Sequence, residues 1–360
     1  MSNHHVWRWL VVVIAALSLS VVVTGCGGGD NEGAAGTTTT ETGGREKLSV
    51  ALVTDTGGVN DRGFNEFSIK GLARANTELG VDTRVYVSKT ADDYLPNLTA
   101  AAEDGYDLVI AIGFKLTSQT IEVAQKFPDT SFAGVDHFYG GDTCAKTKTC
   151  FEPNALGMVY PTEEAGYLAG VLAAKLTKSK KVSTVAGEKI PSVDNWIAGF
   201  QQGVIDTDPS VQYANAYSQT FVDQAKCKEI ALDQISRGSD IIFQVAGDCG
   251  LGALKAACEE GKIAIGVDAD QRAQGQCVVT SALKPLTDSV FDVIQTFVNG
   301  DFKGGKNNFY GVADLPDAPL LAGYQGTVPK AAQDAVNAAQ EKIVAGDIDP
   351  PATLEEVKKK

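Results

Sequence analysis

Histidine and positive charge are both scarce in this sequence. Of its 3 His residues, His4 and His5 lie at the extreme N-terminus, so only His137 serves the rest of the chain. The 360 residues carry 31 Lys and Arg against 45 Asp and Glu, for a formal net charge of -14. A histidine-rich metal site or histidine-based catalysis therefore has little material. Nucleic acid is a poor partner as well, because binding its phosphates requires clustered Lys and Arg.

The N-terminal apolar run is short for a transmembrane helix. It extends from Trp9 to Val23 behind the basic Arg8, whereas a membrane span needs ~20 residues. Such a run is typical of a secretory signal peptide, and the sequence VTGC that ends at Cys26 resembles a bacterial lipobox. We predict a lipoprotein signal peptide over residues 1–25 and a lipid on the Cys26 sulfur. An ordinary signal peptide with an incidental cysteine is the alternative.

The segment after this cysteine is predicted to be a tether. Residues 26–46 are rich in Gly and Thr and almost free of apolar side chains, so burial cannot offset their ordering entropy. An acyl chain contributes ~0.8 kcal/mol per buried methylene, which would hold a folded domain at a membrane surface without spanning it. The expected location is the extracytoplasmic face of the cell membrane.

The other six cysteines are an even number in a chain that we expect to be exported, which favours disulfides. Six cysteines allow fifteen pairings. The expected pairs are Cys144 with Cys150, Cys227 with Cys249, and Cys258 with Cys277. A zinc site is the alternative, but the sequence contains no C-x-x-C spacing to support it.

The remaining chain alternates between strand and helix patterns. Strand-like runs occupy residues 48–54, 83–88, 107–113, 131–135, 181–186, 240–246, 263–267 and 278–283, with amphipathic stretches such as FNEFSIKGLARANTEL between them. This alternation indicates parallel sheets with helices on both faces. About 335 residues are too many for one comfortable core, so we predict two doubly wound α/β lobes.

An aspartate follows an apolar strand at three places. The sequence G-V-D ends two predicted strands at Asp136 and Asp268, and V-T-D ends the first at Asp55. Ligands of open α/β sheets bind beyond the carboxyl ends of the strands, so three such residues point to one cleft. For any one of them alone, a turn or helix-capping role is the simpler interpretation.

The loop over residues 55–66, DTGGVNDRGFNE, contains neither G-x-G-x-x-G nor a P-loop motif, and its carboxylates outnumber its one cation. Phosphate is therefore disfavoured, and an uncharged ligand with hydroxyl or ring N–H groups is favoured, held by aspartates and an aromatic face. Phe64 is one candidate ring, and Trp196 in the second lobe is another; a core position is the alternative for each. Lys284 could balance the acidic cleft or remain a surface lysine.

In order and spacing, these motifs resemble the basic membrane protein or PnrA-like family. The similar segments are VTDTGGVNDRGFNE, FAGVD, TEEAGYLAGVLA, GFQQG, VAGDCGLG, GVDADQ and SALK. Members of this family are substrate-binding lipoproteins of ABC importers for purine nucleosides. The resemblance implies a type I periplasmic-binding-protein fold with two Rossmann-like lobes, a hinge and an interlobe cleft. We expect the first lobe to comprise residues 47–158 and about 270–304, and the second 159–269 and about 305–360.

The resemblance also implies roles for individual residues. Asp55, Phe64 and Asn65 would face the base, with Trp196 as a second stacking ring where the family often has phenylalanine. Asp136, Asp268 and Lys284 would face the ribose, joined by the backbone at Gly247 or Gly250. The sequence departs from the family in having Arg62-Gly63 where a serine commonly precedes Phe-Asn, and in its extra cysteines.

The expected function is therefore capture of an intact purine nucleoside and its delivery to an ABC permease driven by an ATPase. Catalysis, a cofactor, a metal ion and nucleic acid are not expected. A receptor for a sugar or signalling molecule with the same fold is the alternative. A nucleoside or glycoside hydrolase would need a carboxylate pair, and nothing beyond the acidic residues themselves favours it.

Overall fold

A computed structural model of the chain describes residues 47–140, 152–315 and 318–358. The predicted signal peptide, the tether, Cys26 and the Cys144 and Cys150 pair lie outside these residues. Among the described helices, none combines the length and the apolar character needed to cross a membrane.

Within the described residues, the first lobe is built on a parallel six-stranded sheet. Its strands are β1 (Ser49–Val53), β2 (Asp82–Tyr86), β3 (Leu108–Ile112), β4 (Ser131–Val135), β5 (Ala155–Val159) and β11 (Lys306–Phe309), in the order β11-β5-β4-β3-β1-β2. Its helices are α1 (Phe64–Leu79), α2 (Tyr94–Glu103), α3 (Thr117–Lys126) and α8 (Leu286–Val298). Helices α1 and α8 cover one face and α2 and α3 the other. Strand β3 is buried throughout, as expected for a parallel strand between helical layers.

Within the described residues, the second lobe is built on a parallel five-stranded sheet. Its strands are β6 (Lys181–Ala186), β7 (Gln212–Tyr217), β8 (Ile241–Val245), β9 (Ile263–Asp268) and β10 (Val278–Leu283), in the order β10-β9-β8-β6-β7. Its helices are α4 (Thr162–Leu176), α5 (Pro191–Thr207), α6 (Gln224–Ser236), α7 (Gly247–Glu259) and α9 (Lys330–Val344). Helices α4, α5 and α9 pack on one face, and α6 and α7 on the other.

Glycines allow α4 and α5 to approach unusually closely. A Cβ atom added to Gly170 would lie 2.1 Å from the carbonyl oxygen of Phe200, and one added to Gly203 would lie 2.1 Å from that of Tyr167. No side chain fits at such distances, so backbone packs directly on backbone. The motifs TEEAGYLAGVLA and GFQQG thus encode this helix pair.

The predicted α/β fold class is confirmed, and every predicted strand is present. Three strands were not predicted. Strand β11 (KNNF) and edge strand β7 (QYANAY) are polar and largely exposed, so neither has the apolar run of a buried strand. Strand β5 (ALGMV) does have such a run, as long as that of the predicted β4 (SFAGV), and was missed.

Two strands, β10 and β11, belong to sheets other than the predicted lobe ranges imply. Strand β10 pairs with β9 in the second sheet, although residues 270–304 were expected in the first lobe. Strand β11 pairs with β5 in the first sheet, although residues 305–360 were expected in the second. Within the described residues the chain therefore passes between the sheets three times, after β5, β10 and β11. A composition pattern does not reveal such crossings, because strands of both sheets look alike.

Two disulfides lie in the second lobe. Cys227 in α6 pairs with Cys249 in α7 at a Cα separation of 5.5 Å, and Cys258 pairs with Cys277 at 5.2 Å. These are the expected pairs. The first one ties the start of α7 to the start of α6, and Gly247 in α7 and Phe221 just before α6 line the site described next.

Candidate ligand-binding cleft

A cavity lies between the carboxyl ends of the two sheets. Residues at or just after the ends of β1, β3 and β4 in the first lobe, and of β6, β7, β8, β9 and β10 in the second, supply its walls. Its empty volume is about 630 Å³ when the open mouth is included. This size and position are those of a small-molecule site in a two-lobed α/β protein.

Eight of the nine sequence-predicted ligand residues line this cavity. They are Asp55, Phe64, Asn65, Asp136, Trp196, Gly247, Asp268 and Lys284. Gly250 is not among the lining residues. It faces the sheet instead, where an added Cβ would lie 1.7 Å from Oε1 of Gln244, so its glycine serves the packing of α7 on β8.

Five aspartates line the cavity, namely Asp55, Asp61, Asp136, Asp248 and Asp268, and three of them lie at the strand ends noted in the sequence. Burial raises the pKa of Asp268 to about 7, although the nearby Lys284 opposes this rise. Burial also raises the pKa of Asp55, although hydrogen bonds from Asn65 and Gly57 lower it. The Asp268 side chain receives no hydrogen bond from any residue that the structure describes. Its carboxylate is thus free to accept hydrogen bonds from a ligand.

Asp61 also lines the cavity, and neither it nor Asp248 was predicted from the sequence. Its carboxylate accepts from the backbone N–H groups of Gly63, Asn65 and Glu66, at 3.1, 2.8 and 3.0 Å. These bonds satisfy free amides at the start of α1 and hold the loop that carries Phe64. Burial raises the pKa of Asp61 to about 6. An aspartate three residues before a helical pattern is the signal that could have found it.

The amide of Asn65 leaves an acceptor without a partner. Its Nδ2 donates to Oδ1 of Asp55 at 2.6 Å, which also accepts from the N–H of Gly57 at 2.8 Å. Oδ1 of Asn65 is buried and has no hydrogen-bond partner among the residues that the structure describes. A buried polar atom left unpaired at a cavity wall is costly, and a ligand donor would remove that cost.

Lys284 joins the two lobes at the base of the cavity. Its ammonium lies 2.6 and 2.7 Å from the carboxylate oxygens of Asp136, and the two side chains are only 2% and 9% exposed. The same ammonium lies 4.8 Å from the ring centres of Phe64 and Tyr160. Lys284 is therefore a buried, fully engaged cation at the chain crossing after β10, not a surface lysine.

Four aromatic residues line the cavity, and one of them, Phe114, directly follows the loop glycine after β3. Phe64 lies at the start of α1 in the first lobe. Trp196 is 2% exposed and packs edge-on against Phe243, with ring centres 6.4 Å apart, so it is mainly a core residue with one edge on the cavity. Phe221 lies between β7 and α6 and was missed. An aromatic residue in a polar loop was the criterion that selected Phe64, and it also fits Phe221.

An ion pair spans the two lobes beside the cavity. Nζ of Lys115, which follows β3, lies 2.8 Å from Oε1 of Glu188, which follows β6. The side chains are 31% and 26% exposed. Gln271 adds a second link, since its amide donates to the carbonyl oxygen of Arg62 at 3.2 Å. The described arrangement is thus one in which the lobes contact each other around the cavity.

Comparison with known proteins places this architecture in a family. Residues 48–315 match the model of the PnrA-like ABC transporter substrate-binding proteins. The CD4+ T-cell-stimulating antigen of Listeria monocytogenes is 34% identical, over 84% of this chain and 88% of that protein. The ABC transporter nucleoside-binding protein BmpA of Lactococcus lactis is 29% identical, over 85% and 89%.

A solved structure supports the fold independently. The solute-binding protein of an ABC transporter system from Aeropyrum pernix superposes with a TM-score of 0.73, covering 86% of this chain and 94% of that one, at 23% identity. Proteins of this kind bind a small molecule on the extracytoplasmic side and act with a permease and its ATPase; they are not enzymes. The chain belongs to the PnrA-like family of ABC transporter substrate-binding proteins.

Proposed function

We propose that the protein is a lipid-anchored receptor that captures purine nucleosides in the interlobe cleft and delivers them to its permease. One observation carries this proposal: aspartates from both lobes and aromatic rings line the same cavity. Carboxylates accept hydrogen bonds from ribose hydroxyls, and rings stack on a planar base. The Lactococcus lactis relative, whose name describes it as nucleoside-binding, supports the same ligand class.

The charge of the site argues for a nucleoside over a nucleotide. Five aspartates line the cavity, whereas Lys284 is paired with Asp136 and Lys115 with Glu188. A phosphate group would meet net repulsion there. The proposed division of the ligand places the base near Asp55, Asn65 and Phe64, and the ribose near Asp136 and Asp268. Phe221 joins Trp196 as a candidate ring on the second-lobe side.

Binding in this scheme is coupled to lobe closure. The proposed ribose contacts come from both lobes, Asp136 after β4 and Asp268 after β9, so one ligand can satisfy both only when the lobes are together. Such a ligand shifts the population towards the closed form. The lipobox-like sequence before Cys26 supports the anchor, which would keep the receptor close to its permease.

A fluorescence titration tests the ligand class. Removal of residues 1–25 leaves Trp196 as the sole tryptophan, and it lies on the cavity wall. We expect saturable changes with guanosine, inosine or adenosine, and little response to cytidine, ribose or GMP. Saturation by ribose alone would instead identify a sugar receptor. Release of free base during the titration would identify a hydrolase.

The ion pair between Lys115 and Glu188 predicts a modest kinetic effect. Lys115→Met should raise the dissociation rate of a bound nucleoside by about 1.5- to 5-fold, because partly exposed pairs contribute ~0.2–1 kcal/mol to the state that contains them. Stopped-flow release measures this rate, and high salt should shrink the difference.

The matched control for this prediction is Lys126→Met, which removes an exposed pair with Glu122 inside α3 of the same lobe. It should leave the dissociation rate unchanged. Equal rates for Lys115→Met and the unmodified protein at low salt would mean that the ion pair does not stabilise the closed lobes.

A further inference from the structure

The two G-V-D sequences form the same unusual backbone turn in both lobes. Asp136 has a φ of 62° and Asp268 a φ of 66°, in the left-handed region that residues with a Cβ atom seldom occupy. Each aspartate ends a strand of its sheet and lines the cavity. Backbone in this region persists where its surroundings hold it there, and it is common at ligand sites.

A buried polar side chain folds back over the glycine of each sequence. A Cβ added to Gly134 would lie 1.9 Å from Nδ1 of His137, and one added to Gly266 would lie 2.7 Å from Oε1 of Gln271. His137 is 0% exposed and Gln271 2% exposed. Gly134 therefore provides the space for the His137 side chain, and Gly266 the space for the Gln271 side chain.

His137 links the turn that carries Asp136 to the neighbouring strand end. Its Nε2 lies 3.0 Å from the carbonyl oxygen of Gly113, which can only accept, so Nε2 carries the proton. Nδ1 lies 3.4 Å from the hydroxyl of Tyr139. Burial lowers the pKa of His137 to about 4, so the ring stays neutral and keeps this arrangement at neutral pH. Gly113 in turn lies against Asp55 and Phe64, at the base-facing wall.

Gln271 links the turn that carries Asp268 to a neighbouring strand and to a loop of the first lobe. Its Oε1 accepts from the backbone N–H of Val267 at 3.1 Å and from Nε2 of Gln244 at 2.7 Å. Its own Nε2 donates to the carbonyl oxygen of Arg62 at 3.2 Å, in the loop that immediately precedes Phe64. Both buried side chains thus connect a cleft aspartate to the first-lobe loops that carry the proposed base contacts.

We infer that His137 and Gln271 are matched positioning residues, which hold Asp136 and Asp268 in the orientation that ligand binding requires. Neither side chain lines the cavity, so each acts through the aspartate in front of it. The inference rests on the proposed function for its ligand, the nucleoside ribose, but its structural content is independent of that ligand.

Binding measurements with two ligands test the inference. His137→Leu should raise the Kd for guanosine about tenfold and change the Kd for 3′-deoxyguanosine much less, because the analogue lacks a hydroxyl that a positioned carboxylate would accept from. His137→Gln keeps an amide donor near the position of Nε2 and should restore most of the affinity. Gln271→Leu should behave as His137→Leu does. Combining Asp136→Asn with His137→Leu should cost less affinity than the two single effects together.

Gln234→Leu is the matched control, because Gln234 is equally buried and donates to the carbonyl oxygen of Thr184 at 2.8 Å, away from the cavity. It should lower the melting temperature without changing either Kd of the folded protein. An effect of His137→Leu limited to the melting temperature, or an equal loss for both ligands, would overturn the inference.

A ligand-free readout separates this inference from the proposed function. In a crystal structure of ligand-free His137→Leu, Asp136 should leave the left-handed region or its carboxylate should move away from Lys284. An unchanged turn would overturn the inference whatever the ligand is. Failure of the unmodified protein to bind any nucleoside would count against the proposed function alone.

Discussion

Replacing Asp268 with alanine is expected to weaken nucleoside binding at least about a hundredfold. The Asp268 carboxylate is buried and receives no hydrogen bond from the described residues, so a ligand is its natural partner. Two hydrogen bonds to a charged acceptor contribute ~1.5–3 kcal/mol each, which corresponds to this loss in Kd. Calorimetric titration with guanosine measures it directly.

The folded state should survive this substitution. Alanine at a φ of 66° is disfavoured by about 1 kcal/mol, but removal of a buried carboxylate that lacks a protein partner offsets this cost. The thermal transition should therefore remain cooperative. Asp270→Ala is the matched control, since Asp270 lies two residues further on, is 44% exposed and pairs with Arg272. Retained affinity in Asp268→Ala would remove Asp268 from the site.

Nucleoside affinity is expected to fall steeply in mildly acidic solution. The pKa of Asp268 in the free protein is about 7, raised by burial and by the neighbouring Asp136, Asp61 and Asp55 and opposed by Lys284. The ligand hydroxyls need the ionised carboxylate, so the bound form has a lower pKa and binding below pH 7 must expel a proton. Kd should then rise about tenfold per pH unit below 7 and stay flat above it.

The stability of the ligand-free protein should change in the opposite direction. The pKa of Asp268 and that of Glu163 are raised by burial to about 7, and that of Asp61 to about 6. Between their ordinary values and these raised ones the folded state binds more protons than the unfolded state, so acidification stabilises it. The pKa of His137 is lowered to about 4, so on acidification the unfolded state takes up one proton that the folded state does not. This single group destabilises the folded state and partly offsets the gain. From pH 7.5 to 5.5 the free energy of unfolding should rise by about 1–3 kcal/mol.

Two experiments check this pair of opposite trends. Calorimetric titration across pH 5.5–8 gives the affinity, and urea unfolding of the ligand-free protein at the same pH values gives the stability. Asp268→Asn keeps the shape and the tolerance of left-handed backbone but cannot titrate, so its weaker binding should lose most of the pH dependence. A flat affinity profile in the unmodified protein would mean that Asp268 does not exchange a proton on binding.

Much of the architecture was predictable because burial leaves a periodic record in the sequence. Helix α1 occupies the predicted stretch FNEFSIKGLARANTEL, since its apolar spacing and the capping loop before it agree. Strand β11 was not predictable, because its pairing with β5 depends on a partner about 150 residues away. Strand β10, in contrast, pairs with β9, the strand just before it in the chain, and this pairing places it in the second sheet.

The cavity-lining residues that the sequence indicated best are the aspartates at the ends of strands. Asp136 and Asp268 were predicted to lie at one cleft because parallel strands bring their carboxyl ends to one edge, and both line the cavity. Phe221 was missed because it follows β7, a polar edge strand without a clear apolar pattern. Gly250 was included because the sequence offers two nearby glycines, and only packing against Gln244 distinguishes its role from that of Gly247.

The passage of the chain between the sheets constrains how such a protein can be divided. The first sheet takes β11 from near the end of the chain, and α8 packs on the first lobe directly after β10 has completed the second sheet. No single cut in the sequence therefore yields two fragments that each contain one whole sheet. Exchanging one lobe with that of a relative would therefore require three simultaneous junctions.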